Sequence, residues 1–452
     1  MQEDLKKFST IQLLNFCLGF FGLQFAWQMR IILSGPVTES LGASPFLFGL
    51  IWLAGPVTGI VVQPIIGALS DHTQTPIGRR VPYLLGGAIL AAIGLFILPN
   101  SGNIAESMGT NAPVWLGLLI AAIMIWIIDA CVNAAQGPYR ALIPDNMPKE
   151  QHSVANSYLS FAIGLGSVIA AGTAPFLKWA LGYQMSVNAQ FYMAGLAFLL
   201  AMIWTCITIK ERKIEKVETK EDVKTPTFME NVKEFFKISP EVPKICLMQF
   251  FAWIGLMSMM IFFTQYSIHT IFNVPDLAGV DDTVKILYDA NNMEGANFSS
   301  ICFAIFNLIC FIVALPIGKL AVKYGNKIVH IVSLISMAIA YLIMWKTTDK
   351  TLVAFAMGLA GIGWSSTLAL PFAMLSKYIK PGTEGSIMGV FNIFIAAPQV
   401  LVCTVLAKVI DSAKITLDDG LFNNHWEYAF LVGAIMLILA ALTTCFVKEK
   451  TN

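Results

Sequence analysis

Twelve runs of about 17 to 25 apolar residues recur along the chain, each long enough to cross a bilayer as one helix. They fall near residues 11–33, 45–69, 83–99, 114–136, 155–179, 188–209, 242–272, 296–318, 328–345, 352–375, 386–410 and 427–447. Of 452 residues, 56% are apolar and only 13% charged, too few polar groups to clothe a water-soluble domain of this size. In lipid the backbone must satisfy its own hydrogen bonds, and runs of this length do so as helices. The fold class read from the sequence is an all-α membrane protein with twelve transmembrane helices.

Charge placement tests that count. With the amino terminus in the cytoplasm, the cytoplasmic segments hold 21 of the 29 Lys and Arg, including Lys6, Lys7, Arg79, Arg80, Lys319, Lys323, Lys327, Lys377 and Lys448. Six lie in the opposite loops or at the run ends beside them, and the remaining two are Arg30 and Arg140. An error of one helix would scramble this alternation. Both termini are therefore expected in the cytoplasm, with the chain in the inner or plasma membrane of the cell. The first run has full span length and no small-residue cleavage site, so it is expected to remain as the first helix. The eight cysteines lie in or beside apolar runs without metal-ligand spacing, so neither a disulfide nor a metal site is expected. A net charge of +1 gives no reason to expect a nucleic-acid partner.

The most charged stretch, Lys210 to Lys244, divides the chain into a six-helix half at 1–209, a cytoplasmic linker at 210–241 and a second six-helix half at 242–452. Within the linker, Pro226 to Ile238 intersperses Phe228, Val232, Phe235 and Phe236 with charges, a pattern compatible with a short surface helix or a solvated tether. The halves carry traces of repetition. Pro64-Ile-Ile-Gly67 closes the second run as Leu315-Pro316-Ile-Gly318 closes the eighth, and Pro138-Tyr-Arg-Ala-Leu142 corresponds to Pro371-Phe-Ala-Met-Leu375. Two pseudo-repeated six-helix bundles around a midplane site describe an alternating-access transporter.

Asp129 is the only carboxylate in the interior of any run, and a charge at that depth costs several kcal/mol unless it has a partner or a function. Asn133, Gln136 and Arg140 follow on the same helical face. Such a stripe must face a water-filled cavity or other helices, and it reads as part of a transport pathway. Arg30 is the cation that would instead satisfy Asp129 structurally. Arg140 lies about 16 Å from Asp129 along the axis, too far to pair with it and near the inner interface, where arginine snorkels.

Gly67-Ala-Leu-Ser-Asp71 followed by Gly78-Arg-Arg-Val-Pro82 resembles the loop motif of the major facilitator superfamily. Gln24-Phe-Ala-Trp27, Asp129 through Asn133, Gln136-Gly-Pro-Tyr-Arg-Ala-Leu142 and Asp145 resemble the sucrose-proton symporters and related glycoside carriers. The resemblance implies a major facilitator fold and proton-coupled import of a disaccharide or other glycoside. Asp129 would be the proton-coupling residue, and Gln24, Trp27, Asp129, Asn133, Gln136 and Arg140 the substrate contacts. Amides and carboxylates suit sugar hydroxyls, and indole faces suit the apolar side of a sugar ring. Burial and a nearby cation act in opposite senses on a carboxylate's proton affinity, so sugar and proton can be linked at one group.

In the loop motif, Gly67 and Gly78 would let helices approach, and Asp71 would pair with Arg79 or Arg80 as a cytoplasmic gate. In the second half, Asn307, Trp364, Asn392 and Gln399 are further polar or indole groups within runs, for which helix packing is the alternative role. Phe263-Thr-Gln-Tyr266 and His269-Thr270 stand where plant carriers have charged residues, which is closer to a bacterial glycoside-carrier branch and makes maltose or another glucoside as compatible as sucrose. His269 is a candidate titrating group. The segment Asn273 to Asn297 reads as a long acidic external loop. No cofactor is expected beyond the proton as coupling ion. The expected partners are a small sugar, protons and the lipid bilayer, for a monomer. An uncoupled facilitator of the same fold is the alternative, and a sodium-coupled carrier lacks the paired carboxylates it would need. No catalytic constellation suggests an enzyme.

Overall fold

The computed structural model describes residues 6–109, 113, 115–209, 211, 233, 235–275, 282–378, 384–416 and 422–449, without the side chains of a few of them, Asp71 included. Among these residues, twelve helices are long and apolar enough to cross a membrane. They are α1 (Thr10–Ser40), α2 (Pro45–Ser70), α3 (Val81–Ser107), α4 (Leu116–Asn146), α5 (Val154–Leu181), α6 (Val187–Thr208), α7 (Val242–Ile271), α8 (Asn291–Tyr324), α9 (Asn326–Lys346), α10 (Lys350–Ser376), α11 (Val390–Ser412) and α12 (Tyr428–Cys445). One short antiparallel pair, β1 (Lys414–Thr416) with β2 (Phe422–Asn424), departs from the all-helical expectation.

The ends of α1 show how local chemistry sets a helix. Ser9 accepts the Gln12 N–H and the Gln12 side chain accepts the Ser9 N–H, a reciprocal cap whose loss costs roughly 1 kcal/mol. The sequence suggested a stop near residue 33, ahead of Ser34-Gly35-Pro36, yet the helix runs on to Ser40. Pro36 withholds one backbone donor, and the Thr38 hydroxyl bridges the same turn by donating to Ser34 O at 2.8 Å. The extension brings one carboxylate, Glu39, into the helix in buried form.

The chain packs as two units, residues Met1–Glu215 with Val274–Ala304, and Lys216–Asn273 with Ile305–Asn452. The expected division at 209 and 242 differs from this, because residues following Val274 group with the first unit. There Glu294 pairs with Lys178, and Asn297 donates to Gln184 at 3.3 Å. Much of the expected acidic loop is also helical, since the helix leading into α8 begins at Asp282.

In the first unit α1 lies along α6 and α5, while α4 lies along α3 and α2. Gly166 of α5 sits so close to α1 that a Cβ there would meet Phe21 O at 2.7 Å and the Gln24 Cβ at 3.3 Å, which brings α5 within reach of the Gln24 amide. In the second unit α7 packs on α12, and α9 packs on α10 and α12. Phe235, from the segment read as a short surface helix or a solvated tether, is buried against Val242, Ile245 and Phe391. Residues 233 and 235–237 of that segment are helical, and the remainder of Pro226 to Ile238 lies outside the described residues, apart from Ile238 itself. Two spans change pitch. Tyr266–Ile271 in α7 and Val402–Leu406 in α11 are π-helical.

Candidate functional site

Asp129 and Arg30 are both fully buried and form an ion pair through Asp129 Oδ2 and Arg30 Nη2. The guanidinium carbon lies 4.4 Å from the centre of the Trp52 ring and 5.1 Å from that of Trp27, so two indoles flank the cation. A desolvated cation–π contact is worth up to about 2 kcal/mol. Three helices build this arrangement: α1 supplies Trp27 and Arg30 one turn apart, α2 supplies Trp52, and α4 supplies Asp129. The backbone of α2 opposite them is glycine, and a Cβ on Gly55 would lie 3.6 Å from Asp129 Oδ2. Among the described residues, Asp129 Oδ1, Arg30 Nε and Nη1 and the Trp52 indole N–H have no partner. The site therefore keeps one acceptor and several donors unspent.

The rest of the α4 stripe disperses. Asn133 is buried and donates to Thr58 Oγ1 at 2.9 Å, while Thr58 donates to Ala54 O at 2.6 Å. Gln24 donates to Ser167 Oγ on α5 at 3.0 Å. Gln136 is half-buried, and Arg140 is exposed with its guanidinium 5.4 Å from the Phe20 ring centre. At Asp129 and Asn133 the stripe faces other helices, one of the two surroundings expected for it. Of the six expected contacts, Trp27 and Asp129 meet at Arg30, half-buried Gln24 and buried Asn133 are held by Ser167 and Thr58, and Gln136 and Arg140 stand apart. Trp52, Thr58 and Ser167 partner these residues and were not singled out from sequence. Their residue types recur throughout apolar helices, and no local pattern marks them.

Among the described side chains, the arginines of the expected gate meet two acidic residues. Arg79 pairs with Asp145 at 2.6 Å and with Glu211 at 3.5 Å, and Arg80 pairs with Asp145 at 3.0 Å and donates to Ser70 Oγ at 2.6 Å. The Glu211 carboxylate also accepts the backbone N–H of Arg80 at 2.8 Å and of Val81 at 3.4 Å, capping the first turn of α3. The expected partner Asp71 lies outside the described side chains. Gly78 adopts φ +122°, a backbone conformation that favours glycine, and a Cβ there would push against the Glu211 side chain. Gly67 makes no such approach, since a Cβ there meets nothing within 4 Å.

The second unit repeats this cap. Glu449 accepts the backbone N–H of Asn326 at 3.2 Å and of Lys327 at 3.1 Å and the Lys377 ammonium at 3.0 Å, beside Gly325 at φ +88°. Burial pushes the Glu449 carboxyl up, but the Lys327 N–H and the Lys377 and Asn326 donors outweigh it and hold its pKa below the ordinary range. The signal was present in the sequence as Ile209-Lys210-Glu211 after the sixth run and Val447-Lys448-Glu449 after the twelfth. Of the other second-half candidates, Trp364 packs in an aromatic group, Gln399 donates within its own helix to Ile395 O at 3.0 Å, Asn392 is exposed, and Asn307 is half-buried. His269 is buried with its ring stacked 5.4 Å from Trp426.

A sequence profile described as Major Facilitator Superfamily matches residues 14–401 and 245–452. The chain belongs to the Major Facilitator Superfamily. It is accordingly a multi-pass membrane transporter and not an enzyme. Its relatives within the superfamily include the sucrose transport protein SUT5 of Oryza sativa subsp. indica, 26% identical over 470 residues that span 95% of this chain and 87% of that protein. The general alpha-glucoside permease of Schizosaccharomyces pombe is 25% identical over 532 residues, spanning 97% and 94%. Among solved structures, the D-xylose-proton symporter superposes with a TM-score of 0.65 at 17% identity, covering 98% of this chain and 100% of the other. The nucleoside transporter NupG gives 0.66 at 13% identity, covering 98% and 100%. These two share the major facilitator fold with the chain.

Proposed function

We propose that this major facilitator protein imports a disaccharide or other glycoside of the sucrose or maltose class together with protons, by alternating access across the inner or plasma membrane with both termini in the cytoplasm. The observation that carries the reading is the buried Asp129, one oxygen held by Arg30 and the other without a partner, beside the faces of Trp27 and Trp52. Relatives named for sucrose and alpha-glucoside transport support the substrate class. Ionised Asp129 is stabilised by Arg30. When a proton neutralises it, the two indoles continue to hold the guanidinium, and the freed donors become available to sugar hydroxyls. Gln24 and Asn133, already anchored by Ser167 and Thr58, would orient the ring. Opening of the first unit's helices would expose the pair to one compartment at a time, and the Arg79, Arg80, Asp145 and Glu211 cluster would hold the loop end in one of those states.

The same ion pair supports a second reading, an uncoupled facilitator, because an aspartate permanently paired with arginine carries no proton. Two measurements separate them. Addition of maltose or sucrose to energy-depleted cells alkalinises the medium if transport is coupled, and leaves the pH unchanged for a facilitator. Asp129→Asn should abolish uphill accumulation in vesicles while sparing exchange of sugar for sugar. Full gradient-driven accumulation by that variant rejects Asp129 as the coupling residue.

A further inference from the structure

At its Tyr324 end, α8 turns two faces to different surroundings. Ile317 and Ala321 are buried against Leu370 of α10. On the opposite face Leu308, Ile312, Leu315 and Val322 are exposed, Leu315 by 78% and Val322 by 91%. Lys319 and Lys323 belong to the same stripe by helical spacing and are exposed as well. Leu308 sits near the midpoint of the span. Lys319 follows it at about 16 Å along the axis, and one leaflet of hydrocarbon is about 15 Å deep. The apolar part of the stripe therefore ends, and the two lysines begin, at the level of phospholipid headgroups.

Two further lysines at this end of the unit are spent on the protein. Lys327 donates to Cys445 O at 2.6 Å, and Lys377 donates to Glu449 at 3.0 Å. Lys319 and Lys323 differ. Among the described residues neither has an anionic partner, Lys323 resting 5.0 Å from the centre of the Tyr324 ring, and the chain between Glu294 and Asp349 contains no acidic residue. Charge complementarity decides the occupant. A hydrocarbon stripe that ends in two unneutralised ammoniums one turn apart matches a molecule with acyl chains and an anionic head, and a phosphodiester offers an oxygen to each ammonium. A zwitterionic head would bring its own cation against the lysines, and a second copy packed on this stripe about a two-fold axis would set like charges together. We infer that the Tyr324 end of α8 is a binding surface for an anionic phospholipid of the adjoining leaflet, its phosphate between Lys319 and Lys323 and an acyl chain along Leu308, Ile312 and Leu315. Neither lysine belongs to the Asp129 site, so the lipid binds whether or not sugar is present.

The test uses the full-length protein in detergent with an equimolar mixture of dioleoyl phosphatidylglycerol and dioleoyl phosphatidylcholine, the retained lipid being read by native mass spectrometry. The parent should retain phosphatidylglycerol in preference to phosphatidylcholine. Lys319→Gln with Lys323→Gln should weaken phosphatidylglycerol retention about tenfold, leave phosphatidylcholine retention unchanged and, because both side chains are exposed, keep the parent's melting temperature. Lys6→Gln with Lys7→Gln removes the same charge from another exposed pair, ahead of α1, and should leave retention within about twofold of the parent. Leu315→Gln is the independent variant should the lysine pair be needed for folding, and it should weaken phosphatidylglycerol retention through the acyl chain. Equal retention of the two lipids by the parent, undiminished retention after Lys319→Gln with Lys323→Gln, or an equal loss in both lysine pairs overturns the proposal, the last because it marks bulk charge alone. Displacement of the lipid by excess inorganic phosphate would reduce the surface to a simple anion site, and retention confined to dimers would give the stripe to a second copy; either result also overturns it. None of these outcomes bears on the glycoside reading, which is tested by uptake.

Discussion

Arg30 and Asp129 stand 99 positions apart in the chain and meet fully buried in the first unit, with Trp27 and Trp52 on either side of the guanidinium. Such a pair contributes little net stability, because desolvation of two charges offsets their attraction, whereas removing one member strands the other. That asymmetry sets the energetics of the whole site.

Arg30→Met should therefore destabilise the protein by about 3–5 kcal/mol, and the double variant Arg30→Met with Asp129→Asn should recover most of that loss. Thermal unfolding of the purified protein in detergent, run as a double-mutant cycle, checks this. Additive losses in the double variant would show that the two side chains do not interact.

Gly78 and Gly67 offer a matched comparison within one loop motif. Gly78→Ala meets both a positive φ and the Glu211 carboxylate, and should cost roughly 1–3 kcal/mol. Gly67→Ala, on a helix with open space around it, should stay within about 0.5 kcal/mol of the parent. Equal melting temperatures for the two variants would contradict the assignment of Glu211 as the cap.

The Glu449 cap gives a pH signature. Its folded-state pKa lies below the ordinary glutamate value of 4.5, so its contribution to stability is complete above that value and is lost as pH falls through and below it. Unfolding measured as a function of pH should show this loss in the parent. In Glu449→Gln the acid limb should be shallower, with lower stability at neutral pH.

Only Cys445 of the eight cysteines is exposed, at the end of α12. A membrane-impermeant maleimide should label it in inside-out vesicles and leave intact cells unlabelled, with Cys445→Ser as the control. Labelling of intact cells would place the carboxyl terminus outside and reverse the proposed orientation.

Run length alone delivered the twelve helices, because a bilayer leaves the backbone few alternatives. Asp129 and Asn133 were legible for a related reason, since a polar group at that depth is rarely idle. What escaped depended on which helices become neighbours. Trp52, Thr58 and Ser167 acquire meaning only once α2 and α5 lie against α4 and α1. Glu211 looked like one more linker charge until the amide end of α3 came beside it, and Asp145 stood in the resemblance without an assigned partner. Glu39 was missed because the apolar run ends near residue 33, whereas α1 continues through Pro36 to Ser40. The acidic stretch after Asn273 was read as a loop from its charge, and from Asp282 onward it extends α8.

Glu211 and Glu449 each arrive from beyond the last helix of their own six-helix set to fasten the start of its third. The chain end that completes each set is thus built into that set, and neither borrows its fastening from the other. A gene divided in the linker, downstream of Glu211, would leave both fragments holding the residue that closes them, as expected of two tandem copies whose ancestor once folded as a separate polypeptide.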